Sequence, residues 1–168
     1  KGSGCKLGII LYYSFLWIAY ILVEIYFIQS LVFYLGNPVF STSIVITSML
    51  IISGVGSLSG SKIMKEPRRF ILIAAGIVAA MMVFYMTLLP VVLEGSLGAP
   101  RVVKMIGAIL LIAPAAFFMG IFFPTGLNVL AKNRNEMLPW AWGMNGAFSV
   151  TGSLLARYLA VQFGFRVL

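Results

Sequence analysis

The sequence contains no histidine and no aspartate, and only four glutamates: Glu24, Glu66, Glu94 and Glu136. Without histidine there is no His-ligated haem or zinc and no histidine general base. Without aspartate, any acid–base work falls to glutamate. Cysteine occurs once, as Cys5. It has no partner for an internal disulfide and no neighbouring base to make its thiol a nucleophile. The surrounding Gly2-Ser3-Gly4-Cys5 lacks the apolar run that precedes a bacterial lipid-attachment cysteine, so the thiol reads as incidental. No metal set or cofactor is expected, and a self-contained enzyme is disfavoured. Charged residues of either sign are also scarce, at 10% of 168 residues, against roughly a quarter in a soluble domain.

Apolar residues fill the space those absences leave. They make up 61% of the chain, and the mean hydropathy is +1.06. Several apolar runs approach the ~20 residues that cross a bilayer as a helix. Backbone in lipid must satisfy its own hydrogen bonds, which leaves helices or a closed barrel. The runs are continuous, without period-two alternation, so helices are expected. The net charge of +8 suits loops that follow the positive-inside bias and meet anionic lipid. With no aromatic–basic surface domain to carry it, nucleic acid is not an expected partner.

The expected architecture is an all-α transmembrane bundle, one domain over 1–168, with five spans. The first runs from about Leu7 to Leu31. Its Tyr13, Trp17, Tyr20 and Glu24 share one helical stripe. Gly36-Asn37-Pro38 is an uncharged turn signal. The second span runs from about Val39 to Gly60 and carries Gly56 and Gly60 at the spacing that lets helix backbones approach. A phosphate loop there is disfavoured, because no Lys-Ser/Thr follows. A basic loop at 62–69 leads to the third span, from about Phe70 to Leu93. The fourth runs from about Arg101 to Phe123. Pro114 is expected to kink it, and Ala116 and Gly120 repeat the small-residue spacing. Pro124 is read as a stop, with a short surface helix from Leu127 to Asn133. The fifth runs from about Trp140 to Phe163 and carries Gly143, Asn145, Gly146, Ser149, Gly152 and Ser153. Trp140 and Trp142 stand where an interfacial belt is expected. The ending, with Arg166, reads as the start of a truncated sixth span, and so as a fragment.

Five spans put the N-terminal tail and the loops at 62–69 and 124–139 on one side. That side holds eight of the lysines and arginines, and the other holds four, counting Arg157 just inside the membrane. The bias predicts a cytoplasmic N-terminus in the inner membrane.

Ionisable and polar groups within spans are the default functional candidates. Glu24 and Arg157 each lie about 17 residues into spans of the same direction, so they fall at matching depth. They either pair between the first and fifth helices or both snorkel to the headgroups. Gln29, Asn145, Ser149 and Ser153 line a polar seam for a small cation or amine, or act as hydrogen-bonding glue between helices. Glue is the commoner use. Gly56, Gly60, Ala116, Gly120 and Gly152 are assigned to helix packing.

Several blocks taken in order resemble a known family. They are L-V-E-I-Y-F-I-Q from Leu22 to Gln29, L-G-N-P-V-F from Leu35 to Phe40 and S-G-V-G-S-L-S from Ser53 to Ser59. They continue with M-G-I-F-F-P-T-G-L from Met119 to Leu127, P-W-A-W-G-M-N-G-A-F-S-V-T-G-S from Pro139 to Ser153, and F-G-F-R-V from Phe163 to Val167. Together they are similar to the C-terminal membrane region of bacterial spermidine synthase-like proteins. In that family an aminopropyltransferase-like soluble domain accompanies the membrane helices. This sequence departs from that pattern: it has neither the aspartates nor the glycine-rich strand–turn–helix unit such a catalytic site needs. The resemblance therefore implies a membrane module without catalysis, whose partners are the bilayer and a protein, either a soluble enzyme domain or a larger complex. Two other functions fit the residues. One is a carrier for a polyamine or other small solute, using Glu24 and Asn145. The other is a membrane enzyme for a lipid or quinone, with a pocket lined by Tyr13, Trp17 and Tyr20 and ending at Glu24.

Overall fold

The computed structural model describes residues 3–63, 67–133 and 135–163. Side chains are described within these except for residues 3–7, 9, 61–63, 67, 68, 70, 133, 149, 152, 153, 155–157 and 159–163. The protein is all-α. Five α-helices follow in order: α1 Ser3–Leu35, α2 Pro38–Ile63, α3 Pro67–Gly95, α4 Arg101–Asn133 and α5 Leu138–Phe163. A single 3-10 turn, Asn135–Met137, precedes α5.

Among the described residues, four helices are long and apolar enough to cross a membrane: Ile10–Leu35, Pro38–Gly60, Ile71–Gly95 and Arg101–Lys132. The chain is thus a helical integral membrane protein with four candidate spans, and the expectation of five is corrected. α5 has the length, but it is the least apolar of the five helices. Asn145, Thr151, Arg157, Gln162 and its glycines dilute the apolar content below what a span needs. The expected sixth span falls at 164–168, outside the described residues.

A second correction concerns Pro124. The fourth helix was expected to end at Phe123, with a separate helix from Leu127 to Asn133. Instead α4 runs unbroken through both Pro114 and Pro124. Proline removes the donor that would serve the carbonyl four residues back. Within a membrane protein such a gap is tolerated when nearby side chains satisfy the turn. Pro124 leaves the Gly120 carbonyl without its helical donor, and the buried Thr125 hydroxyl donates to the next carbonyl, Ile121, at 2.6 Å. Pro90 lies inside α3 in the same way. The carbonyl it frees is that of Met86; the Thr87 hydroxyl stands 3.0 and 3.1 Å from the Val83 and Phe84 carbonyls, in the turn before.

The chain forms two compact units. One is Phe27–Thr125, and the other combines Lys1–Tyr26 with Gly126–Leu168. In the first, the α1–α2 connection is two residues long, each with a defined task. Gly36 adopts φ +71°, the left-handed conformation that closes many helices, and its N–H donates to the Val32 carbonyl at 3.0 Å. Asn37 caps α2: its side-chain oxygen accepts from the Phe40 N–H at 3.1 Å. Pro38 occupies the first helical position, where a missing N–H costs nothing. The Ser41 hydroxyl lies within reach of both the Leu31 carbonyl (3.0 Å) and the Asn37 carbonyl (2.9 Å), tying α2 back to α1. Phe27, Leu31, Val45, Met49, Ile112 and Ile121 form the buried apolar centre of this unit.

The smaller unit is held partly by aromatic side chains of α1. Tyr13 is buried and packs edge-on against Tyr12, with ring centroids 5.2 Å apart. Both approach Gly126 of α4: a Cβ there would lie 2.7 Å from Tyr12 Cε1 and 2.8 Å from the Tyr13 hydroxyl oxygen. Leu130 of α4 and Ala141 of α5 are also buried.

Candidate functional site

In the Phe27–Thr125 unit α2 and α4 approach each other closely through glycines. A Cβ on Gly56 would strike the Phe117 carbonyl, and one on Gly120 would strike the Ser53 carbonyl. Each glycine thus lies directly on the other helix's backbone. Four residues past Gly56, a Cβ on Gly60 would come 2.7 Å from Cγ2 of Ile121, itself four residues past Phe117. Ala116 is fully buried. Lipid offers no hydrophobic drive between helices, so such close backbone approach supplies the van der Waals contact instead.

α3 joins this pair through Tyr85. Its ring packs edge-on against Phe27 at 5.2 Å. Its hydroxyl donates to the Leu111 carbonyl at 2.6 Å. Leu111 follows Leu110, whose carbonyl loses its helical donor to Pro114. Tyr85 therefore brings an outside donor to the turn that proline disrupts.

Where the four spans meet their connections at Gly36-Asn37 and 96–100, Tyr34 is buried between three elements. The Lys104 ammonium stands over its ring, 5.2 Å from the centroid. Its hydroxyl lies 2.9 Å from Ser96 Oγ. Ser96 has one proton, and the Val92 carbonyl lies 2.8 Å away to take it, so Tyr34 is the donor across that contact. This Tyr34–Ser96–Lys104 cluster was not foreseen. Its signals were an aromatic residue two positions before a Gly-Asn-Pro turn, and a lysine in the first turn of a span.

In the smaller unit, Glu24 is half-buried within the span Ile10–Leu35. Among the described residues it makes no hydrogen bond or ion pair. The Arg157 side chain lies outside the described residues, and so does the Glu24–Arg157 pairing. Trp17 and Tyr20 are half-buried, with rings 5.8 Å apart. Asn145 is half-buried, while Ser149, Gly152 and Ser153 have side-chain positions outside the described set. Gln29 is half-buried in the larger unit. Trp140 and Trp142 are 60% and 58% exposed. With Gly143, Met144, Ala147 and Pro139, Trp140 lines an open apolar groove of about 330 Å³ along one face of α5. A Cβ on Gly143 or Gly146 would meet nothing within 4 Å.

Among the described residues no three His, Cys, Asp or Glu side chains stand close enough to hold a metal ion. No family model, curated protein or solved structure matches the chain.

Proposed function

We propose that the chain is a non-catalytic membrane module, similar to the membrane region of spermidine synthase-like proteins, that anchors or assembles a protein partner at the cytoplasmic membrane. The partner is a soluble enzyme domain or a larger complex, and the N-terminus lies in the cytoplasm. One observation carries this reading. Gly56 and Gly60 of α2 and Gly120 of α4 meet the facing helix, whereas Gly143 and Gly146 of α5 face open space beside two exposed tryptophans. Small residues facing open space let another helix backbone approach closely. A photo-crosslinking residue at Ala147 of α5 tests this, with Leu72 of α3, also exposed, as the control. A defined crosslinked partner from Ala147 and none from Leu72 supports the reading. Equal labelling from both positions, or none from either, removes it.

A second reading is favoured by Glu24. A half-buried carboxylate within a span, without a partner among the described residues, is costly unless it meets a cation. A small-solute carrier of the polyamine type would supply one. Uptake of labelled spermidine into vesicles that Glu24→Gln abolishes would favour the carrier. Absence of uptake by the wild-type chain would exclude it.

A further inference from the structure

We propose that Arg101 and Lys104 hold the phosphate of an anionic phospholipid at the end of the bundle where the Tyr34 cluster lies. Three observations converge there. The first is an uncompensated pair of cations. Arg101 and Lys104 are three residues apart in the first turn of α4, so they share a face. That turn contains no acidic residue. Glu94 closes α3 nearby in the chain and is exposed, yet among the described residues it pairs with neither cation. Two like charges at that spacing oppose each other and oppose the positive end of the helix. A bound anion removes both penalties.

The second observation is that one cation is held in place. The Tyr34 ring sits under the Lys104 ammonium at 5.2 Å, and the Tyr34 hydroxyl is tied to Ser96. A cation–π contact fixes an ammonium without consuming its N–H donors. Lys104 is half-buried and keeps those donors for a ligand, whereas an ordinary surface lysine wanders.

The third observation selects lipid as the source of the phosphate. The cations stand at the boundary of the candidate span Arg101–Lys132, beside the ends of Ile10–Leu35, Pro38–Gly60 and Ile71–Gly95. This is headgroup level for a bilayer crossed by these helices. Anionic headgroups present phosphate at this level at high local density, which a free phosphate does not match.

The test is native mass spectrometry of the full chain released from detergent. Phosphatidylglycerol or phosphatidylcholine is added, and the wild type is compared with the Arg101→Gln/Lys104→Gln variant. Lys132→Gln, an exposed lysine at the other end of α4, controls for net charge. The wild type and Lys132→Gln should retain phosphatidylglycerol several-fold better than phosphatidylcholine. The double variant should lose that preference, and Lys104→Arg should keep most of it. Equal retention of the two lipids by the wild type overturns the proposal, as does undiminished preference in a folded double variant. Displacement of the lipid by inorganic phosphate at millimolar concentration overturns the assignment to lipid. If the double variant does not fold, the wild-type lipid preference and the phosphate competition decide the question.

Discussion

Gly56 of α2 lies directly against the Phe117 carbonyl of α4, and Gly120 returns the contact by lying against the Ser53 carbonyl. Backbone met in this way cannot rotate aside as a side chain can. Gly56→Ala or Gly120→Ala should therefore push the helices apart, at a cost of about 1–3 kcal/mol for overpacking. Gly60→Ala should cost less, because the new methyl meets only the Ile121 side chain. Gly76→Ala on α3 meets nothing and should fall within about 1 kcal/mol of the wild type, on the stabilising side. Apparent Tm values in one detergent, ranked across these variants, check the order.

Tyr85→Phe removes the hydroxyl that reaches the Leu111 carbonyl. Polar contacts between membrane helices contribute about 0.6 kcal/mol on average, up to roughly 1.7. The loss should lie toward the upper part of that range, since the carbonyl sits in a turn disturbed by Pro114. In a Pro114→Ala background the helix regains its donor and the turn can close, so Tyr85→Phe should cost less. A double-mutant cycle on unfolding free energies measures the difference.

Gly36→Ala puts a side chain at φ +71° with no neighbour to strike, so its penalty is conformational only. It should amount to about 1–2 kcal/mol. Gly36→Asn should cost less, because asparagine tolerates that region. Asn37→Ala loses the α2 cap and should cost about 0.5–2 kcal/mol. Chemical unfolding of the purified chain in mixed micelles, followed by circular dichroism, distinguishes the three.

Glu24→Gln separates the two functional readings. For a module that assembles a partner, the substitution leaves partner recovery unchanged and removes a costly charge, so stability rises slightly or stays level. For a solute carrier, it abolishes uptake while the fold persists. Parallel measurement of partner recovery and vesicle uptake on the same preparation checks both outcomes.

The four candidate spans were legible because each is a long apolar run bounded by local signals. The Gly36-Asn37-Pro38 turn shows why: left-handed glycine, capping asparagine and first-position proline each carry a conformational preference of their own. Pro124 misled because the rule that proline ends a helix is a rule for water. In lipid a broken helix leaves more unsatisfied backbone than the single carbonyl a proline frees. α5 misled in the opposite direction, since its aromatic and apolar residues hide how many glycines and amides lie among them.

The candidate sites were less legible. Small-residue spacing marked Gly56 and Gly120 as packing positions but could not say which helices meet. The Tyr34–Lys104 contact joins residues 34 and 104, from different helices, and no local pattern reports such a meeting. Glu24 stood out alone because a carboxylate among apolar residues needs no partner to be conspicuous.

The central claim is that this module works by holding a partner. The most direct measurement is mass spectrometry of what co-purifies with the chain in a mild detergent, repeated with Gly143→Leu to fill the open face of α5. The account expects a stoichiometric protein partner with the native chain and its loss with Gly143→Leu at unchanged helicity. A chain that purifies alone and takes up spermidine in vesicles would contradict it.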